Sequence, residues 1–199
     1  MTTPVLVYGF ETSNNVKVRV ALGYKDIAYQ FRPIDPASRE LVVELSGQHL
    51  TPVMVHDDTV LYDSAAILRY LDANFLDTPR LFGTSHGEQW AIEDEEYFAR
   101  TELAGPLMEI VHHRVGGGTV HDAMKARCAG AFENAANALV ARLEGREWLV
   151  GDCMSAADIA AAAVMYRVRL AGLFPTPPAV ASIDGWVDRV MSFDRYLQG

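Results

Sequence analysis

Residues 51–71, TPVMVHDDTVLYDSAAILRYL, decide the fold. An X-Pro step opens the stretch. Two short apolar runs follow, at 53–55 and 59–62, separated by His56-Asp57-Asp58. That order predicts a strand pair closed by an acidic turn. Asp63-Ser64 then stands directly before Ile67, Leu68 and Leu71, apolar residues at helical spacing, and Ser64 reads as the helix N-cap. Proline cannot donate to a strand ladder, so Pro52 belongs at a strand start or edge. X-Pro is also the step at which a cis bond costs least.

Upstream of this stretch, PVLVY at 4–8 is an apolar run expected as a buried parallel strand. GFETSNN at 9–15 is the first loop. A short helix is expected over 16–23, capped by Ser13 or Asn14 and ended near Gly23. Residues 27–32 read as a second strand and 37–45 as a weak helix. The order is βαβ followed by ββα, an α/β unit with helices on a mixed four-stranded sheet.

Downstream, Pro79, Gly83 and Gly87 mark residues 77–87 as a linker, leaving 1–76 as the α/β domain and 88–199 as an all-helical bundle domain. Residues 88–114 read as one long helix with Trp90, Tyr97, Ala104, Met108 and Val111 near one face. The run Glu93-Asp94-Glu95-Glu96 reads as a solvated face or a subunit-interface edge. Gly116-Gly117-Gly118 is a turn, since no strand precedes it and no Lys-Ser/Thr follows it. After a helix over 120–143, Ser155 and Asp158 have capping-box spacing, and Met154 and Ile159 stand at the staple positions around it. The alanine-rich helix over 156–173 is expected to be buried. Pro175, Pro177 and Pro178 end it, and Ile183, Trp186, Val187, Val190 and Leu197 mark a last amphipathic helix.

Composition narrows the function classes. Half of the 199 residues are hydrophobic, enough for a sizeable core, and the formal net charge is −9. That charge argues against nucleic acid and against an anionic membrane surface as partners. Cys128 and Cys153 form no CxxC pair, which fits a reduced, cytoplasmic protein. No export signal and no 18-residue apolar span are read. His112, His113 and His121 do not make a metal set, because adjacent helical histidines diverge. No metal is expected.

The motifs carry a resemblance. Thr51-Pro52-Val53-Met54, followed by Leu61-Tyr62-Asp63-Ser64-Ala65-Ala66-Ile67-Leu68-Arg69-Tyr70-Leu71, resembles the second half of the thioredoxin-like domain of cytosolic glutathione S-transferases. The Ser155-x-x-Asp158 cap resembles that family's helical domain, so the resemblance covers essentially the whole chain. It implies a cis proline at Pro52 and a glutathione site formed by Thr51, Pro52, Asp63 and Ser64. The physics agrees: a helix N-terminus presents free N–H groups and partial positive charge to a carboxylate. Glutathione is the implied co-substrate, and a homodimer the implied assembly.

Glutathione's thiol must ionise, because the thiolate is the nucleophile. Thr12, Ser13 and Asn14 are the candidate activating residues, with Tyr8 as the reserve. Thr12 falls where the resembling families place a catalytic Ser or Cys, and Thr12-Ser13-Asn14 looks like the T-P-N of the bacterial nu class. One departure is Leu50, where many relatives place a polar anchor for a glutathione carboxylate. Gln48 and His49 are the replacements considered. The electrophile pocket is expected between that loop and the helix over 88–114, lined by Tyr97, Arg100 and Met108. The resemblance therefore implies a glutathione S-transferase acting on a small hydrophobic electrophile, a detoxification enzyme. Glutathione-dependent disulfide reduction, or a non-catalytic binding module on the same fold, are the alternatives.

Overall fold

The computed structural model describes residues 4–197. The chain divides into two compact units, Met1–Gly83 together with Met191–Gly199, and Thr84–Val190. The final segment thus groups with the first unit and not with the helices that precede it.

The first unit is a four-stranded mixed sheet in which the strands, numbered along the chain, lie in the order second, first, third, fourth. β1 (Val5–Gly9) runs parallel to β2 (Tyr29–Pro33) and antiparallel to β3 (Val53–His56), and β3 pairs antiparallel with β4 (Thr59–Tyr62). Between them lie α1 (Ser13–Tyr24) and α2 (Glu40–Ser46), and α3 (Ser64–Asn74) follows β4. This is the βαβ-ββα unit read from the sequence. Val5 and Val7 of β1 are buried with Val53 and Met54 of β3 and Ile67, Leu68 and Leu71 of α3.

Two N-caps differ from the sequence reading by one residue. Thr12, extended at φ −130° and ψ 161°, caps α1 and accepts from the Asn15 N–H, so the helix starts at Ser13 and neither Ser13 nor Asn14 is the cap. Asp63, not Ser64, caps α3: its Oδ1 accepts from the N–H groups of Ala65 (2.9 Å) and Ala66 (3.0 Å). Ser64 becomes the first helical residue.

A buried lysine closes this unit. Lys25, just past α1, donates to Asp72 near the end of α3 (3.0 Å) and to the Pro79 carbonyl (2.8 Å), while Asp72 also accepts the Leu81 N–H (2.8 Å). Burial lowers the lysine pKa against the pull of Asp72.

In the second unit the expected single helix over 88–114 is three pieces: α4 (His86–Phe98), a π-helical turn (Ala99–Leu103) and α5 (Gly105–Val115). Pro106 in the first turn of α5 lacks the N–H that a continuous helix would use there. The start is also earlier than read, because Ser85 and Glu88 form a capping box. The buried side of this stretch is Ile92, Phe98, Ala99 and Leu103, whereas Trp90 is 73% and Tyr97 56% exposed. Their apolar character therefore does not mark the core face. Nor is the acidic run wholly solvated. Glu95 is half-buried, 3.2 Å from Arg142 Nε, and burial pushes its carboxyl up against that guanidinium.

α6 (Asp122–Leu143) and α7 (Ala156–Ala171) complete the core, and α7 is buried along most of its length, as its alanines predict. A 3₁₀ turn (Pro178–Ile183) leads into α8 (Asp184–Met191), which ends before Leu197. The expected last helix is therefore shorter than read. Met154 and Ile159 are both buried at the α7 N-terminus.

Candidate active site

Three chain segments of the first unit meet through two asparagines. The Thr51–Pro52 peptide is cis and opens β3. Asn15, fully buried in α1, donates its amide Nδ2 to Thr12 Oγ1 (2.7 Å) and to Thr51 Oγ1 (3.0 Å). Its backbone N–H also reaches Thr12 Oγ1 at 3.3 Å. Asn14 Oδ1 accepts from Ser64 Oγ at 3.4 Å. Thr12, Asn14, Thr51 and Ser64, four of the residues singled out in the sequence, are thus drawn together at the two helix starts.

Asn15 was not singled out, although Thr12-x-x-Asn15 has the spacing of a capping box. Its fit depends on Gly9: a Cβ there would lie 1.6 Å from Asn15 Oδ1. Strand β1 ends in glycine at the point where the next element must come close.

The site's polarity comes from two helix starts. The first-turn N–H groups of α1 and of α3 have no intrahelical carbonyl to bond, and each end carries partial positive charge. Thr12 uses its oxygen as an acceptor, so its hydroxyl proton remains available to donate outward. Asp63 sits at φ 76° and ψ 118°, a strained conformation for a residue with a Cβ. Its Oδ1 carries the cap, and its exposed carboxylate retains acceptor capacity for a cation. Ser13 is buried at the α1 start, and Tyr8 is half-buried in β1.

The expected anchors around Leu50 are otherwise disposed. Leu50 is 67% exposed. Gln48 Nε2 is turned to Ser46 Oγ (2.7 Å) and to the Leu50 carbonyl (3.0 Å). The backbone carbonyl of His49 accepts from Arg39 Nη1 at 2.8 Å. Arg39 is a cation the sequence reading passed over. Its Nε bonds the Pro36 carbonyl (3.0 Å), and its guanidinium lies 4.9 Å from the centre of the Phe10 ring, in the loop that leads to Thr12. A lone arginine ahead of a weak helix carries no periodic signal.

In the second unit Arg100 lies 5.6 Å over the Tyr97 ring, where α4 passes into the π turn, and Met108 is half-buried in α5. Among the described residues no group of three His, Cys, Asp or Glu is arranged to hold a metal ion. His113 Nε2 instead lies 2.9 Å from the Thr119 carbonyl. No described helix is long and apolar enough to cross a membrane.

Comparison with known proteins agrees with this architecture. The glutathione S-transferase N-terminal domain model matches residues 7–79, and the C-terminal domain model matches residues 103–194. The chain is 32% identical over 81 residues to a probable maleylacetoacetate isomerase of Caenorhabditis elegans, covering 39% of this chain and 38% of that one. It is 32% identical over 85 residues to glutathione S-transferase 1 of Dianthus caryophyllus, covering 40% and 38%. These matches therefore span about two fifths of the curated relatives' length. Among solved structures, poplar glutathione transferase F1 superposes with a TM-score of 0.76 at 20% identity, covering 98% of this chain and 99% of that one. The Bombyx mori glutathione transferase BmGSTD1 superposes at 0.79 and 18% identity, covering 98% and 91%. Those likenesses establish the fold, and the two domain models establish the lineage: the chain belongs to the glutathione S-transferase family.

Proposed function

We propose that the protein binds glutathione at the joined N-termini of α1 and α3 and transfers it to a small hydrophobic electrophile. The observation that carries this reading is the Ser64–Asn14 contact, which brings two electropositive helix starts to one spot. Glutathione has a carboxylate for one and a sulfur for the other. The γ-glutamyl carboxylate is assigned to Ser64, through its hydroxyl and N–H at the positive end of α3, and its ammonium to Asp63. Thr51 and Pro52 hold the cysteinyl backbone. Arg39 takes the place of the polar anchor missing at Leu50, since a guanidinium forks onto a carboxylate.

Thr12 is assigned as the donor to sulfur, with the Ser13 and Asn14 N–H groups supplying the helix field. A cysteine thiol has a reference pKa near 8.5, and lowering it by two units requires about 2.7 kcal/mol of preference for the thiolate. A charge-assisted hydrogen bond together with a helix N-terminus is of that order. The thiol proton leaves to solvent. The sulfur lone pair forms the C–S bond, and the electrophile's leaving group departs with its bonding pair. Tyr97, Arg100 and Met108 are assigned to the electrophile. Homodimeric assembly, a cytoplasmic setting and a detoxifying role belong to the same proposal and rest on family membership.

The test is retention on immobilised glutathione with elution by free glutathione, followed by turnover of a panel of aryl halides, conjugated carbonyls and small disulfides. Retention with turnover of the electrophiles supports transfer. Turnover of disulfides alone replaces it with reduction, and retention without any turnover makes the protein a binding module. Absence of retention overturns the glutathione site.

A further inference from the structure

Arg19, in the second turn of α1, has no solvent exposure. It holds two carboxylates from opposite ends of the chain. Its Nη1 and Nη2 fork onto Glu11 at 3.1 and 2.8 Å. Its Nε reaches Asp194 Oδ1 and Oδ2 at 3.1 and 3.0 Å, and Nη2 reaches Asp194 Oδ2 at 2.8 Å. The guanidinium lies 4.7 Å from the Phe31 ring centre and 4.9 Å from that of Tyr196. Asp194, also without exposure, additionally accepts the Tyr196 N–H at 3.2 Å.

Glu11 is the residue immediately before Thr12. Its side chain reaches eight positions along the sequence, beyond the three or four that stabilise a helix locally, so the contact serves the loop and not the helix. The Glu11 side chain is 35% exposed, so it is not a charge buried for want of water. We infer that Glu11 is a positioning residue for Thr12, and that the C-terminal segment holds it in place through Asp194 and Arg19. The inference rests on the assignment of Thr12 as the sulfur donor. Misplacing a catalytic group by about 1 Å can cost a hundred-fold in rate, so a rigid hold on the preceding residue has a functional return. Arginine suits this position, because a planar guanidinium can take two carboxylates in its plane and aromatic rings on its faces.

The experiment uses the full chain with Glu11→Gln, Asp194→Asn and Thr12→Ala. Amide hydrogen exchange is followed at Asn15 and Val16, whose N–H groups bond Thr12 Oγ1 and the Thr12 carbonyl. The pKa of the bound glutathione thiol and the affinity for S-methyl glutathione are measured alongside. Glu11→Gln and Asp194→Asn are each expected to speed exchange at these amides about ten-fold. They are expected to raise the bound thiol's pKa while leaving S-methyl glutathione affinity near the parent's. A merely structural pair would lower global stability without moving the thiol pKa. Parent-like exchange and parent-like thiol pKa in Glu11→Gln, while Thr12→Ala raises that pKa, overturn the inference. If instead Thr12→Ala leaves the pKa unchanged while Glu11→Gln still loosens the loop, the hold on the loop stands and the assignment of Thr12 fails. Glu11→Gln keeps the side-chain shape on a partly exposed group, so the test survives if Asp194→Asn does not fold.

Discussion

The N-termini of α3 and α7 are built from the same two residue types, aspartate and serine, and put them to opposite ends. At α7, Asp158 is fully buried and its carboxylate is saturated. Oδ2 accepts from the Ser155 N–H (2.9 Å) and Ser155 Oγ (3.0 Å), and Oδ1 from the Leu149 N–H (2.9 Å) and Trp186 Nε1 (3.3 Å). Nothing is left for a ligand. At α3, Asp63 is exposed and caps with one oxygen, while Ser64 stands inside the helix with its hydroxyl turned to Asn14 at 3.4 Å. A cap that consumes all its acceptors stabilises a core. One that leaves acceptors over is available for binding.

The largest effect expected from this contrast is on stability at α7. Asp158→Ala strands the Leu149 and Ser155 N–H groups and the Trp186 indole N–H. The loss should be about 2–4 kcal/mol, more than the ~1 kcal/mol of an isolated cap. Denaturant unfolding measures it, and a midpoint equal to the parent's would show that the four bonds contribute nothing net.

The matching change at α3 should act on the ligand. Ser64→Ala leaves the Asp63 cap intact, so stability should shift by no more than about 0.5 kcal/mol. Glutathione affinity should fall about ten-fold or more, the range for losing a hydrogen bond to a charged group. S-methyl glutathione should lose as much, since the γ-glutamyl end and not the sulfur is affected. Calorimetry with both ligands decides it. Unchanged affinity for both would make α3 as closed as α7.

A smaller effect concerns pH. Burial pushes the Asp158 carboxyl up, against four hydrogen bonds that pull it down. A carboxyl raised by folding holds its proton more tightly in the native state than in the unfolded one. Its contribution to stability is therefore present below the ordinary aspartate range and is lost as pH rises through the raised one. Asp158→Asn cannot ionise, so its stability should vary less across that window than the parent's. Parallel curves would mean that the hydrogen bonds offset burial and leave this group unshifted by folding, and a reversed slope that the hydrogen bonds win.

Both helix starts were legible because Asp and Ser before apolar residues at helical spacing form a local signal. The register at α3 was not. Asp63 and Ser64 are equally good caps, and the choice was made by the backbone at φ 76°, which a sequence does not display. At α1 the sequence offers Ser13 or Asn14 as the cap, and Thr12 caps instead, its hydroxyl bonded by Asn15, whose amide needs the space left by Gly9. The long helix over 88–114 misled because Trp90 and Tyr97 fit an apolar stripe, yet the core took Ile92 and Phe98, and a π turn interrupts the helix just beyond them. Arg19 and Asp194 stand 175 residues apart, so only the folded chain pairs them.

The central claim is that the α3 start binds glutathione and the α1 start ionises it. Measuring the bound thiol's pKa and the S-methyl glutathione affinity in Thr12→Ala beside Ser64→Ala tests it most directly. The account predicts a crossed result: Thr12→Ala raises the thiol pKa and leaves S-methyl glutathione binding near the parent's, while Ser64→Ala weakens that binding about ten-fold or more and leaves the thiol pKa of the bound ligand near the parent's. Loss of affinity without a thiol pKa shift in Thr12→Ala, or a thiol pKa shift without loss of affinity in Ser64→Ala, would contradict it.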